Sequence, residues 1–179
     1  VSLDKCLNPR RPHSSIRLLL TRVGINPDKG LKVLDLTYGQ GLFWFKFPNI
    51  RIVGFDVRKL QWKVAPTCFV QDKAQNWYLY RDYIVDCLGG NPDIVAVDPP
   101  FSKRLSGSMY DKTHYYESFA EGTVEEIIES ALEAGRYFKS LVLIRYRTLW
   151  NCKIIDYLRF KFKWMKDNVT SYLFVCNPD

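Results

Sequence analysis

The sequence predicts an α/β domain of three layers, with a mostly parallel sheet between helices and an antiparallel end. Short, almost continuously apolar runs recur along the chain, and strands of that kind are covered on both faces. Stretches of helical length separate them, so strand and helix alternate as in βαβ units. The third observation is bulk: 179 residues, 47% hydrophobic and 15% aromatic, supply one domain with a sizeable core and exclude a disordered chain.

Residues 1–30 read as a basic N-terminal segment and a helix. Asn8-Pro9-Arg10-Arg11-Pro12 is broken by proline and irregular, and Ser14-Ser15 can cap a helix over residues 16–23 that Gly24 and Pro27 end. Residues 31–36 form the first strand and enter the turn Thr37-Tyr38-Gly39-Gln40-Gly41. A short helix over residues 42–47 stops before Pro48, and residues 50–56 are the second strand. Residues 67–70 make a brief third strand, residues 77–87 a helix, and residues 94–97 a fourth strand closed by Asp98-Pro99-Pro100. Thr123 and Glu126 form a capping box for an amphipathic helix reaching residue 138. Residues 141–144 are a strand and residues 154–160 a helix; residues 162–165 and 172–176 form a closing hairpin through Asp167-Asn168. The stretch 101–122 fits no compact element, and a loop of that length is expected to be a mobile lid. No repeat or linker divides the chain, so residues 1–179 are expected to be a single domain.

The 26 Lys and Arg against 19 Asp and Glu leave a net charge of +7 and a pI near 9.1. That balance favours an acidic partner, nucleic acid first and an anionic membrane surface second. No apolar stretch is long enough to span a membrane, and residues 1–6 lack the pattern of a signal peptide. Cys6, Cys68, Cys87, Cys152 and Cys176 are odd in number and form no C-x-x-C pair. This argues against a disulfide framework or zinc site and fits a reducing cytoplasm. His13 and His114 are the only histidines, so no metal is expected.

Three patterns carry chemistry. Asp35-Leu36-Thr37-Tyr38-Gly39-Gln40-Gly41 is D-x-x-x-G-x-G at a strand end, where ligands of doubly wound sheets lie. The third glycine of a dinucleotide fingerprint is missing, and Asp35 suits a cationic amino-acid group better than a pyrophosphate. Asp56, about twenty residues on, ends the second strand and suits the two hydroxyls of a ribose. Asp72 follows the third strand and can accept from an adenine amino group. Asp98-Pro99-Pro100-Phe101 is the sharpest pattern: two prolines stop the strand, leaving a carboxylate and the Pro99 carbonyl as acceptors beside an aromatic ring. A planar base with an exocyclic amine needs that equipment. Each pattern alone also has a purely structural reading, as a turn, a cap or a strand stop. The aromatic cluster Phe43, Trp44, Phe45 and Phe47 reads as core packing first and a stacking platform second.

In this order and spacing the patterns resemble the S-adenosylmethionine-dependent amino-methyltransferases with a D/N-P-P-Y/F/W motif, over residues 32–176. The resemblance implies a Rossmann-like class I methyltransferase sheet with an antiparallel last strand, and S-adenosylmethionine as cofactor. It implies that Asp35, Thr37, Tyr38, Gly39, Gly41, Asp56 and Asp72 surround that cofactor, Gly39 and Gly41 flanking its methionine part and Asp56 holding its ribose. Asp98, Pro99, Pro100 and Phe101 would hold the target base, adenine N6 or cytosine N4 being typical for D-P-P-F, and Asp98 argues mildly against a protein-glutamine substrate. Lys103 and Arg104 are placed for a flanking phosphate, and Tyr110, Tyr115 and Tyr116 for stacking. Arg10, Arg11 and Arg17, with Lys161, Lys163 and Lys166, would extend a basic track.

No separate target-recognition domain is expected, which turns the reading toward structured RNA such as rRNA, whose loop bases are already splayed. A DNA enzyme served by a partner subunit is the alternative. A non-catalytic nucleic-acid-binding protein of the same fold and a small-molecule or protein N-methyltransferase are the readings from other classes.

Overall fold

The apolar runs pair side by side. β1 (Lys32–Asp35), β2 (Arg51–Phe55), β3 (Cys68–Val70), β4 (Ile94–Val97) and β5 (Leu141–Tyr146) are parallel; β6 (Lys153–Phe162) and β7 (Val169–Asn177) complete the sheet. The computed structural model describes residues 12–99, 124–162 and 169–179. Among these, the sheet order is β3-β2-β1-β4-β5-β7-β6, with β7 antiparallel to both its neighbours.

Two apolar layers explain why the middle of each central strand is apolar on both faces, charged residues such as Asp35 and Arg145 coming only toward the strand ends. On one side α1 (Pro12–Arg22) sets Ile16, Leu19 and Leu20, spaced for one helical stripe, against Val33, Ile52 and Ala96. Phe43, Trp44 and Phe47 fill the same layer. On the other side the 3-10 helix Ala74–Tyr80, α2 (Arg81–Leu88) and α3 (Val124–Phe138) bury Trp77, Ile84, Ile128 and Phe138 against Leu34, Val53 and Val95. Each such fully buried aliphatic or aromatic side chain stabilises the fold by about 1.5–3 kcal/mol.

Several expectations are corrected. Residues 154–160 belong to β6, an edge strand: Leu158 and Phe160 face α1 while Tyr157 and Arg159 stay exposed. A register shift between Ile154 and Asp156 breaks its alternation, which left an apolar spacing resembling a helix. The helix expected over 42–47 is only the 3-10 turn Leu42–Trp44, entered through Gly41 in the left-handed region and followed by Lys46 at φ 62°. The helical stretch 77–87 divides into the 3-10 helix and α2. α1 begins earlier than expected, with Pro12 in the first turn, a position that needs no N–H.

The cysteines are corrected too, because Cys68 pairs with Cys87 and Cys152 with Cys176 in two disulfides. Each bond joins elements distant in sequence but adjacent in the fold, β3 with α2 and the approach to β6 with β7, so linear spacing could not reveal it. The cysteine pattern therefore no longer argues for a reducing compartment.

One connection departs from common practice. β5 and β6 run in the same direction on either side of β7, joined only by residues 147–152. Parallel strands usually need a dozen or more connecting residues, commonly a helix. Here the chain crosses β7 nearly straight, within the reach of ~3.3 Å per extended residue. Trp150 and Cys152 pack against the core on the way. Among the described residues no helix shields the outer part of that face, where Tyr157 is 47% exposed.

Candidate functional site

Parallel strands carry their loops at the same end, and β1, β2 and β4 each deliver an aspartate there: Asp35, Asp56 and Asp98. Short ties hold the turns together. The Leu36 N–H donates to the Ala96 carbonyl at 3.0 Å, and the Tyr38 N–H donates to that of Phe55 at 2.9 Å. The Asp98 N–H donates to the Thr37 hydroxyl at 2.7 Å, strapping the first turn to the start of the Asp-Pro-Pro segment.

Asp35 is almost fully buried. Its oxygens accept from the Trp44 indole N–H at 2.7 Å and from the Thr37 N–H at 3.0 Å. Burial pushes its pKa up to about 7 against those two hydrogen bonds, and the charges of Asp98 and Asp56 add to the rise. A buried carboxyl among like charges is stabilised in its ionised form by a cation, so this strand end favours a positively charged ligand.

Asp56 is also buried, but its acceptor capacity is spoken for. One oxygen accepts from the Arg58 N–H at 2.9 Å and Arg58 Nε at 3.1 Å, the other from the Gly39 N–H at 3.1 Å and Arg58 Nη2 at 3.3 Å. Four donors match the four lone-pair sites of a carboxylate. A ribose could reach Asp56 only if Arg58 moved aside.

Tyr38 is packed inside rather than turned toward a ligand. Its hydroxyl donates to the Val64 carbonyl at 2.6 Å, and burial, with Asp35 nearby, pushes its pKa up. A Cβ on Gly41, at φ 78°, would lie 2.5 Å from the Tyr38 hydroxyl oxygen; a Cβ on Gly54 would lie 2.5 Å from the ring. The tyrosine thus requires Gly54, whereas Gly41 is required also by its own φ and by the Val64 carbonyl, 2.8 Å from where a Cβ would lie. Gly39 differs: its φ is 56° and a Cβ there would meet no heavy atom of the described residues within 4 Å.

Asp98 stands across from Arg145, near the end of β5, with 3.9 Å between Nη1 and carboxylate oxygen. Its side chain is 31% exposed. Desolvation raises its pKa and the guanidinium opposes that rise. Pro99 is buried behind it. Asp72 accepts from the Lys73 N–H, Asn76 Nδ2 and the Tyr80 hydroxyl. Desolvation pulls its pKa upward, yet the donors of Asn76, Tyr80 and Lys73 together hold it below the ordinary value.

The structure thus brings Asp35, Thr37, Gly39, Asp56 and Asp98 together at one strand end and buries Tyr38 beneath them. Asp72 lies after β3 on the same side of the sheet. Pro100, Phe101, Lys103, Arg104, Tyr110, Tyr115, Tyr116, Arg10 and Arg11, with the 101–122 lid and the Thr123 cap, lie outside the described residues. In the aromatic cluster Phe43, Trp44 and Phe47 are core, whereas Phe45 is 42% exposed.

Three residues that matter here escaped the sequence reading. Trp44 belongs to a cluster that reads as core packing first and a stacking platform second, with nothing in the sequence to mark its indole as a donor to Asp35. Arg58, two places beyond Asp56, carried only the weak signal of a neighbouring opposite charge. Arg145 had a clearer one, a lone charge inside the apolar run Leu141-Val142-Leu143-Ile144-Arg145-Tyr146. Among the described residues no helix is long and apolar enough to cross a membrane, and no group of three His, Cys, Asp or Glu could hold a metal ion.

No protein-family model matches the chain, and no curated protein matches its sequence. Solved structures do match its fold. An rRNA methylase from Streptococcus thermophilus superposes with a TM-score of 0.53 at 13% identity, covering 96% of this chain and 99% of that one. The yhhF protein of Escherichia coli gives 0.53 at 13% identity, covering 97% and 89%. The delta-N METTL16 MTase domain gives 0.52 at 10% identity, covering 97% and 84%. At these identities the likeness shows the shared fold alone, a Rossmann-like sheet of the kind those structures have.

Proposed function

We propose that this chain is an S-adenosylmethionine-dependent N-methyltransferase acting on the exocyclic amine of an unpaired nucleobase, adenine N6 or cytosine N4, in structured RNA. The observation that carries the reading is the strap from Thr37 to Asp98. It ties the Asp98 backbone to the Asp35 turn, so a base acceptor and a cation-favouring carboxyl share one strand end. The names of two fold neighbours, an rRNA methylase and an MTase domain, agree with it.

The residues present fit the cofactor. Asp35 and the surrounding negative charge suit its ammonium and sulfonium, Gly39 leaves room for its amino-acid part, and Asp56 is placed for ribose hydroxyls once Arg58 is displaced. When bound, S-adenosylmethionine supplies an electrophilic methyl on a cationic sulfur. Asp98 and the Pro99 carbonyl accept the amine N–H groups. That draws the nitrogen lone pair out of ring conjugation and stabilises the positive charge growing on nitrogen. Holding base and methyl donor together supplies much of the remaining acceleration. The Asp98 carboxylate, whose pKa desolvation raises and the Arg145 guanidinium opposes, is the acceptor that matters most.

A second reading has one observation in its favour. The four donors on Asp56 suit a nucleic-acid-binding protein of the same fold with no cofactor. Calorimetry with S-adenosylmethionine separates the two, since only an enzyme takes it up. Incubation with methyl-labelled cofactor and separate pools of RNA, DNA and protein, followed by nucleoside analysis, then tests the substrate. Label in N6-methyladenosine or N4-methylcytidine from RNA is the expected result; label in DNA, in protein or in none of the pools overturns the proposal.

A further inference from the structure

Among the described residues no helix covers the β6 margin of the sheet on the α3 side, and the residues there are of one kind. Register aligns Tyr146, Tyr172 and Arg159 in a row across β5, β7 and β6, at the same strand end that carries Asp98. The next row on that face holds Phe174 and Tyr157. Tyr157 is 47% exposed, Arg159 is exposed and Tyr172 half-buried, the two tyrosine rings lying 6.1 Å apart at 60°. Arg147 is exposed above the Tyr146 ring, its guanidinium carbon 5.7 Å from the centroid. Among the described residues no carboxylate pairs with Arg159 or Arg147. Asp156 of the same strand points to the opposite face, where it accepts from Arg22, and Glu129 of α3 accepts from Trp150.

We infer that Tyr157, Tyr172, Arg159 and Arg147 form a docking platform for single-stranded RNA flanking the target base. Tyrosine rings on an open sheet stack unpaired bases whatever their sequence, and arginines beside them meet the phosphates between. The charge is complementary: two guanidiniums that no carboxylate of the described residues pairs with, in a chain carrying a net +7. The platform shares a strand end with the site, because Tyr146 closes β5 beside β4, which leads into Asp98, while Arg145 reaches Asp98 from the opposite face. A strand with its reactive base at Asp98 has its neighbouring nucleotides delivered to the β7–β6 edge. The inference rests on the proposed function for its substrate and goes beyond it in stating where the rest of that substrate lies.

The test uses the full chain with both tyrosine and arginine changed to a good strand former, Tyr157→Thr with Arg159→Thr, so that the edge keeps its β propensity. A fluorescent single-stranded RNA of about ten nucleotides, within the usual site size for such surfaces, is titrated by anisotropy over a range of salt concentrations. The expected result is a loss of affinity of at least about fivefold, the lower end for one stacked base. The slope of log affinity against log salt should also shrink by about one. Melting temperature and S-adenosylmethionine uptake should be unchanged. Ultraviolet crosslinks to the same RNA should map to residues 153–162 or 169–177. Wild-type affinity in the double variant, or crosslinks confined elsewhere, overturns the platform while leaving the methyltransferase reading intact. Failure of the unaltered chain to take up cofactor overturns that reading instead. Preference for single-stranded DNA, or a variant whose only change is in self-association, overturns the choice of RNA as occupant.

Discussion

Arg58 folds back on Asp56, its Nε 3.1 Å from one carboxylate oxygen and its Nη2 3.3 Å from the other. The same carboxylate is the natural acceptor for a cofactor ribose, so arginine and ribose compete for it. Arg58→Ala is therefore expected to tighten S-adenosylmethionine binding. Asp56→Ala should weaken it by ten- to a hundredfold, the range of about 1.5–3 kcal/mol for hydrogen bonds to a charged group. Titration calorimetry reads both, and an Arg58→Ala variant that binds as poorly as Asp56→Ala would show that the arginine supports the site instead.

Asp98→Ala is expected to lower kcat by at least about a hundredfold, the scale for removing one preorganised electrostatic contact, while cofactor affinity changes little. The carboxylate works in its ionised form, and burial raises its pKa, so the rate should fall on the acid side at a higher pH than for an ordinary aspartate. Arg145 opposes that shift, with Asp35 the other charge in reach on the neighbouring strand. Arg145→Gln should carry the acid limb to still higher pH. A slower enzyme with an unmoved limb would assign Arg145 a merely structural part.

Asp35 gives a proton signal. With its pKa near 7 in the folded chain against 3.8 for the ordinary side chain, it is still largely protonated at pH 6. A cation arriving beside it favours the carboxylate, so cofactor uptake near pH 6 should release up to about one proton, and near pH 8.5 almost none. Calorimetry in buffers of different ionisation enthalpy measures this directly. The apo protein should also lose stability as pH rises from about 4 to 7, because the unfolded chain gives up that proton first. An uptake heat independent of buffer at pH 6 would contradict the placement of the ligand charge.

Cys68–Cys87 and Cys152–Cys176 span sequence separations of 19 and 24 residues. Loops of this size are each stabilised by roughly 3 kcal/mol when closed. Melting with and without a reductant should differ by well over ten degrees, and Cys152→Ser should remove part of that gap without touching Asp98. Identical melting in the two conditions would mean that the bonds are absent from the protein in solution.

How far the sequence could be read depended on what each residue's neighbours were. β1, β2 and β4 were legible because both their faces are buried, which makes a continuous apolar run, and Asp35, Asp56 and Asp98 followed from their places at the ends of those runs. β6 was not. An edge strand with one open face and a register shift at Ile154 shows apolar residues at 154, 155 and 158, a spacing a helix would also give. The partners of the site residues were hidden for a different reason. Trp44 meets Asp35 only because the 3-10 turn folds back over β1, and Arg145 meets Asp98 only because β5 lies beside β4. The cysteine pairs belong with these, since adjacency across elements leaves no trace in linear spacing.

The wedge of Tyr38 between Gly41 and Gly54 bears on how such a chain can drift. Gly54 cannot acquire a methyl group while the ring stands there, and a smaller side chain at position 38 would release it. Gly41 stays held even then, because its φ is 78° and a Cβ would also lie 2.8 Å from the Val64 carbonyl oxygen. A descendant that replaced the tyrosine could therefore lose Gly54 yet keep Gly41, so in this lineage positions 38 and 54 change as a pair while the glycine of the turn answers to the backbone.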